Sequence, residues 1–171
     1  MFIDKRILYI VLGLFIVSNL AGLLSNTNAL LSLLISLPAV LIAITFHEYA
    51  HAWAADRLGD DTPRRQGRLS LNPFSHLDPI GTVMLVFAGF GWGKPVEIDS
   101  RNFNRNIKMS VAEAIVAAAG PVMNFILAII FTIIYTAIWK FAPSFVLTQV
   151  GSIVMILLSA CVSVNVGLGV F

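Results

Sequence analysis

The stretch "ALLSLLISLPAVLIAITFHEYAHAWAADR", residues 29–57, joins a long apolar run to two histidines and a glutamate. Residues 28–46 carry no charged side chain, and a membrane-spanning helix needs about 20 mostly apolar residues. His47, Glu48 and His51 follow directly, on what should be the same helix. Because residues i and i+4 share a helix face, the two imidazoles should lie side by side.

The composition predicts an all-α integral membrane protein. Hydrophobic residues make up 58% of the 171 residues and charged residues only 12%, with a mean hydropathy of +0.88. A soluble domain carries about a quarter charged residues. The net charge of +2 is too small to indicate a nucleic-acid partner. A single cysteine, Cys161, excludes an intrachain disulfide and a cysteine-based zinc site.

Four apolar segments are long enough to cross a bilayer, which predicts a single multi-pass domain over residues 1–171, with about four transmembrane helices. They cover residues 7–24, 29–55, 110–139 and about 145–171. The third should begin at "SVAE", Ser110 to Glu113, which matches a capping box.

Between the second and third segments lies "GTVMLVFAGFGWGKPVEI", residues 81–98, whose apolar part is too short to span a membrane. It predicts a short re-entrant or membrane-edge β-hairpin, which is tolerated at membrane depth where protein covers it or where it lines a cavity. Four residues suit a strand and three glycines disfavour a helix: Val83, Val86, Phe87 and Phe90, and Gly89, Gly91 and Gly93.

The basic residues predict the orientation, because Lys and Arg concentrate in cytoplasmic loops. If the short segment enters and leaves on one side, ten of the 11 Lys and Arg share one face and Lys140 alone lies on the other. We therefore expect a cytoplasmic N-terminus. The ten residues are Lys5, Arg6, Arg57, Arg64, Arg65, Arg68, Lys94, Arg101, Arg105 and Lys108.

The "HEYAH" sequence at residues 47–51 is an H-E-x-x-H motif, which predicts a zinc site. His47 and His51 can bind one ion, and Glu48 can reach a water beside it and accept its proton. A carboxylate near mid-membrane costs at least ~2.5–3.5 kcal/mol, which makes it a functional hypothesis. The alternative is a polar helix end that faces the cytoplasm, with histidines that are merely interfacial.

A catalytic zinc usually has three protein ligands, and the third is not evident. The longer motif of some soluble zinc proteases, H-E-x-x-H-x-x-G-x-x-H, is absent. It would need glycine at position 54 and histidine at position 57, where this chain has Ala54 and Arg57. His76 and Asp78, in "NPFSHLDPIG", could fold back as a ligand, or they could order the loop.

Three blocks in this order carry a family resemblance: "FHEYAHAWAADRLGDDTPRRQGRLSLNPFSHLDPIGT", "GWGKPV" and "AAAGPVMN". Over residues 41–171 the chain resembles the site-2 protease family of intramembrane zinc metalloproteases, in its compact bacterial and archaeal branch that lacks a PDZ insertion. The resemblance implies one Zn²⁺ ion, His47 and His51 as ligands and Glu48 as general base. It also implies a third ligand, an aspartate, in a block expected beyond Phe171, so that the chain as given would be truncated before it.

The same resemblance implies a substrate, a membrane protein cleaved in or near a transmembrane segment, and a location in the lipid bilayer of a prokaryotic inner or plasma membrane. It places Asn124 near the active site as a candidate substrate-binding residue; the alternative is a helix–helix hydrogen bond. The Gly-rich hairpin would present an edge to an extended substrate, or be a surface loop. Two other functions stay open: an inactive relative that only binds membrane segments, and a metal carrier, which should have more acidic or histidine sites along a path.

Overall fold

The computed structural model describes residues 5–88 and 91–170, and this part of the chain is helical, as predicted. Its only β-type pairing within those residues is one isolated bridge. The α-helices are α1 (Lys5–Ser25), α2 (Thr27–Arg57), α3 (Thr62–Arg65), α4 (Pro79–Ala88), α5 (Met109–Phe141), α6 (Pro143–Val146) and α7 (Gln149–Val170).

Three helices are long and apolar enough to cross a membrane: Leu30–Arg57 of α2, the whole of α5 and the whole of α7. Together with the composition, they make this a multi-pass membrane protein. The predicted count of four spans is not supported, because the described apolar part of the first helix, Gly13–Gly22, is shorter than a span.

The predicted β-hairpin is wrong for residues 79–88, which form α4. The helix starts there because Asp78 accepts a hydrogen bond from the Gly81 N–H at 2.7 Å, and Pro79 follows at the first helical position. Asp before Pro is a common helix start, since it satisfies a free N–H and fixes φ. Three residues predicted to lie in a strand, Val83, Val86 and Phe87, fall within α4, and Phe90 lies outside the described residues.

The segment that contains α4 begins and ends at the same place in the structure. Leu77 and Gly93 form an antiparallel bridge, and the Lys94 N–H donates to the His76 carbonyl at 2.7 Å. Ten helical residues extend about 15 Å, roughly half the hydrocarbon thickness of a bilayer. An excursion of this size does not cross a membrane.

The core of the molecule lies where α2, α5 and α7 pack against one another. Alanines allow the close approach of α2 and α5, and they form a buried cluster with two larger side chains. The cluster consists of Ala54, Ala55, Phe103, Ala112 and Val116. This contact places the histidines of α2 against the middle of α5.

The start of α5 differs from the predicted capping box. The helix begins at Met109, one residue before Ser110, and no side chain caps its N-terminus. The Glu113 carboxylate, which should have turned back to the helix start, accepts a hydrogen bond from the Ser100 hydroxyl at 2.6 Å. The tertiary contact with the preceding loop replaces the local one.

Asp60 ties the turn after α2 to the loop that leads into α5. Its side chain is fully buried and accepts hydrogen bonds from the Asn102 amide, from the Thr62 hydroxyl and N–H, and from the Asp99 N–H. Burial alone would raise the pKa of Asp60, but these donors stabilise the charged form and lower its pKa. The two loops on this side of the bundle are therefore fixed to each other.

Candidate metal centre

His47 and His51 lie side by side on α2, with ring centroids 4.7 Å apart. In each ring Nδ1 faces an oxygen of α5: the side-chain Oδ1 of Asn124 and the backbone carbonyl of Val116, both at 2.6 Å. Because both oxygens can only accept, each Nδ1 donates its proton. Each Nε2 therefore keeps the lone pair that a metal ion requires.

The two Nε2 atoms face one space beside the backbone of α5, at Gly120. A methyl group added to Gly120 would overlap His51 Nε2 and come within 2.7 Å of His47 Nε2. Zinc binds imidazole nitrogen at about 2.0–2.1 Å, so it needs donors that converge in this way. The residues present fit a zinc ion held by His47 and His51.

Glu48 opens onto a cleft next to the histidines. Its Oε2 accepts a hydrogen bond from the Val96 N–H at 3.1 Å, while Oε1 accepts none from the described part of the chain. The cleft measures about 250 Å³. It is lined by Glu48, His51, Pro95, Val96, Ile98, Glu113, Val116 and Ala117. A carboxylate with one anchored and one free oxygen can act as a base in such a cleft.

One wall of the cleft is the non-helical segment 93–98, and Arg68 holds it in place. The buried guanidinium of Arg68 donates to the carbonyls of Ser75, Lys94 and Pro95, the last two at 3.4 and 3.5 Å. Further along, the N–H groups of Glu97 and Ile98 make no hydrogen bond to any described residue. Of these two residues, Ile98 lines the cleft.

His76 and Asp78, the two alternatives for a third ligand, point to other partners. His76 is fully buried, with Nε2 2.7 Å from the Ser70 carbonyl, and Asp78 caps α4. Among the residues that the structure describes, no group of three His, Cys, Asp or Glu could hold a metal ion. The aspartate expected beyond Phe171 stays a prediction.

Asn124 lies at the site but faces protein on all sides. It is 0% exposed, and its amide contacts His47, the Asn165 oxygen at 2.9 Å and the Ala43 carbonyl at 3.4 Å. These contacts join three helices, and a role for Asn124 in an active site stays a prediction. Its contact with substrate stays a prediction.

Sequence reasoning missed the roles of Gly120, Val116 and Asn165 at this site. Gly120 lies in the block "AAAGPVMN", but no place at the metal site was predicted for it. A signal did exist, because Gly120 and Asn124 are four residues apart and share a face of α5. The partner carbonyl of Val116 has no sequence signal, since every residue has a carbonyl.

Comparison with known proteins gives matches over most of the chain. Residues 35–169 match the model of the family described as "Peptidase family M50". "Putative zinc metalloprotease YwhC" of Bacillus subtilis is 50% identical over 91 residues, which is 53% of this chain and 40% of the relative. "Putative zinc metalloprotease Rip2" of Mycolicibacterium smegmatis is 31% identical over 105 residues, 58% of this chain and 39% of the relative.

A third relative, "Putative zinc metalloprotease PM1991" of Pasteurella multocida, is 34% identical over 103 residues, 54% of this chain and 22% of the relative. The alignments thus cover at most 40% of the length of these relatives. No solved structure matches the chain.

Proposed function

This chain belongs to peptidase family M50, the site-2 protease family, and we propose that it is a zinc metalloendopeptidase that cleaves peptide bonds in or near transmembrane segments of other membrane proteins. One observation carries the proposal: the lone pairs of two histidines face one space beside Gly120, next to a carboxylate with a free oxygen. The names of the relatives support the choice of zinc.

In this proposal His47 and His51 hold one zinc ion, with an aspartate beyond Phe171 as the third ligand. A zinc ion held there would act as a Lewis acid, which would polarise the scissile carbonyl and make a nearby water more acidic. Glu48 takes the proton from the attacking water with Oε1 and gives it to the leaving amine. The Val96 N–H holds Oε2 at 3.1 Å and so keeps the carboxylate aimed into the cleft.

The wall of the cleft supports a substrate bound in an extended form. A helix hides its peptide bonds, so a protease must first hold its substrate unwound. The Ile98 N–H has no partner among the described residues, and it can pair with an extended chain, which is β-strand addition. In this proposal the substrate pairs with a single segment, residues 93–98, and not with the edge of the predicted hairpin.

Glu48→Gln in the full-length protein tests the proposal. Glutamine keeps the shape of the side chain and an oxygen for the Val96 N–H, but it cannot take a proton at neutral pH. We expect cleavage of a membrane-embedded reporter to fall by about 10²–10⁴-fold. Zinc content, measured by metal analysis of the purified protein, should stay the same.

Asp61→Asn is the matched control, because it removes a carboxylate from an exposed ion pair with Arg65. It should leave cleavage unchanged. Undiminished cleavage by Glu48→Gln would overturn the assignment of the base. A wild-type protein that binds the reporter and never cleaves it would favour the alternative, an inactive relative that binds membrane segments.

A further inference from the structure

A line of hydrogen bonds between buried groups runs from α7 through α5 to His47 on α2. The Asn165 amide donates to the Cys161 carbonyl at 2.8 Å. The Asn124 amide donates to Asn165 Oδ1 at 2.9 Å, and Asn124 Oδ1 lies 2.6 Å from His47 Nδ1. Asn124 and Asn165 are both 0% exposed, so water does not compete for these bonds.

The direction of the line is determined at its α7 end. A backbone carbonyl can only accept, so Asn165 must turn its NH₂ group to Cys161 and its oxygen to Asn124. Asn124 must then turn its NH₂ group to Asn165, which leaves its own oxygen for His47. The Ala43 carbonyl, 3.4 Å from the same NH₂ group, favours the same orientation.

This direction decides which nitrogen of His47 carries the proton. An oxygen that faces Nδ1 requires a proton on Nδ1, which leaves the lone pair on Nε2. If the Asn124 amide turned over, its NH₂ group would face Nδ1, and the proton would move to Nε2, the atom that faces the space beside Gly120. A protonated Nε2 cannot bind a metal ion.

We propose that Asn165 is a positioning residue that fixes the tautomer of His47 by orienting the Asn124 amide. The inference rests on the proposed role of His47 as a metal ligand.

The two histidines differ in whether they need such a residue. His51 donates to the backbone carbonyl of Val116, which belongs to a helix and cannot reverse. The partner of His47 is a side-chain amide, which can rotate by half a turn and exchange donor for acceptor. Only His47 therefore depends on a second residue, and His51 serves as an internal control.

The test measures the tautomer directly in metal-free, full-length protein in detergent. The three histidines are labelled with ¹⁵N, assigned by single replacements, and recorded by NMR at about pH 8, above the ordinary imidazole pKa of ~6.5. Wild-type protein should have the Nδ1–H form at both His47 and His51. Asn165→Leu is similar in size and has no polar atoms, so that only the Ala43 carbonyl still orients Asn124. It should raise the share of the Nε2–H form at His47 and leave His51 unchanged.

Asn165→Asp is the conservative variant that should restore the wild-type pattern. A neutral carboxyl group offers one donor for the Cys161 carbonyl and one acceptor for Asn124, and an ionised one still offers the acceptor. Direct partners of ligand histidines contribute about 10–100-fold to metal affinity, and Asn165 acts one residue further away. Zinc affinity should therefore fall in Asn165→Leu by less than the loss of Asn124 itself would cause, and it should recover in Asn165→Asp. If Asn165→Leu does not fold, Asn165→Ala makes the same comparison.

Three results would overturn the proposal: an unchanged His47 tautomer in Asn165→Leu, an equal change at His47 and His51, or a wild-type His47 protonated at Nε2. The second would mean that Asn165 only holds the helices together. A fourth result separates this proposal from the proposed function. If the His47 tautomer changes as expected but the wild-type protein binds no zinc, the hydrogen-bond direction is confirmed and the proposed metal site is overturned.

Discussion

At the scale of the residue, the motif could be predicted and its partners could not. His47, Glu48 and His51 follow from spacing, because the i to i+4 relation is local to one helix. The acceptors of the two imidazoles, Asn124 and Val116, are 77 and 65 positions away in the chain. Such contacts depend on how α2 and α5 pack, which no local pattern specifies.

Gly120 provides the sharpest prediction at this scale. In Gly120→Ala the new methyl group would occupy the space that both Nε2 atoms face. Alanine favours a helix interior by about 1 kcal/mol over glycine, so the helix itself should not suffer. We expect loss of zinc from the purified protein, measured by metal analysis, while thermal unfolding shows an intact fold.

Gly167→Ala on α7 is the control, because a methyl group there meets nothing within 4 Å. It should keep the zinc content of the wild type. Full zinc content in Gly120→Ala would mean that the metal binds elsewhere.

At the scale of the element, α4 shows how two local patterns compete. The apolar residues and glycines of segment 81–98 favour a strand and turns. Asp78 and Pro79, just upstream, are a helix start signal that was overlooked, and they determine the outcome. The predicted β-hairpin does not form over residues 79–88, but Leu77 and Gly93 on either side of α4 are paired with each other.

Arg68 should determine the stability of the cleft wall, because its buried guanidinium binds carbonyls on both sides of the α4 excursion, at Ser75 and at Lys94 and Pro95. Hydrogen bonds to a charged group contribute about 1.5–3 kcal/mol. In Arg68→Met we expect faster amide hydrogen exchange in a peptide that covers residues 91–98, measured by mass spectrometry. Peptides from α5 and α7 should exchange as in the wild type.

Arg65→Met is the matched control three residues away, at the end of α3, since Arg65 is 65% exposed and its ion pair in the described part of the chain is with Asp61 at the surface. Exposed pairs of this kind contribute about 0–1 kcal/mol. Equal exchange in the two variants would show that Arg68 does not hold the segment.

At the scale of the whole molecule, the distribution of charge and the short α4 agree on one arrangement. Because the chain returns to Gly93 after α4, residues 58–78 and 93–108 lie at the end of the bundle where α2 ends and α5 begins. Eight of the 11 Lys and Arg lie in these stretches or at Arg57. By the positive-inside rule we propose that this end faces the cytoplasm.

Cysteine labelling tests this arrangement across α5. In a Cys161→Ala background, an impermeant thiol reagent added to intact cells should label Ser144→Cys, after the end of α5. It should label Ser70→Cys only after the membrane is permeabilised.

This difference in labelling is expected because α5 separates the two positions by one membrane crossing and α4 adds none. With 33 residues and a mean hydropathy of 2.3, α5 is long and apolar enough to span the membrane. Ser25→Cys, at the other end of α2, should behave like Ser144→Cys. Labelling of Ser70→Cys and Ser144→Cys from the same side would mean that α4 crosses the membrane or that α5 does not, and the charge argument would fail with it.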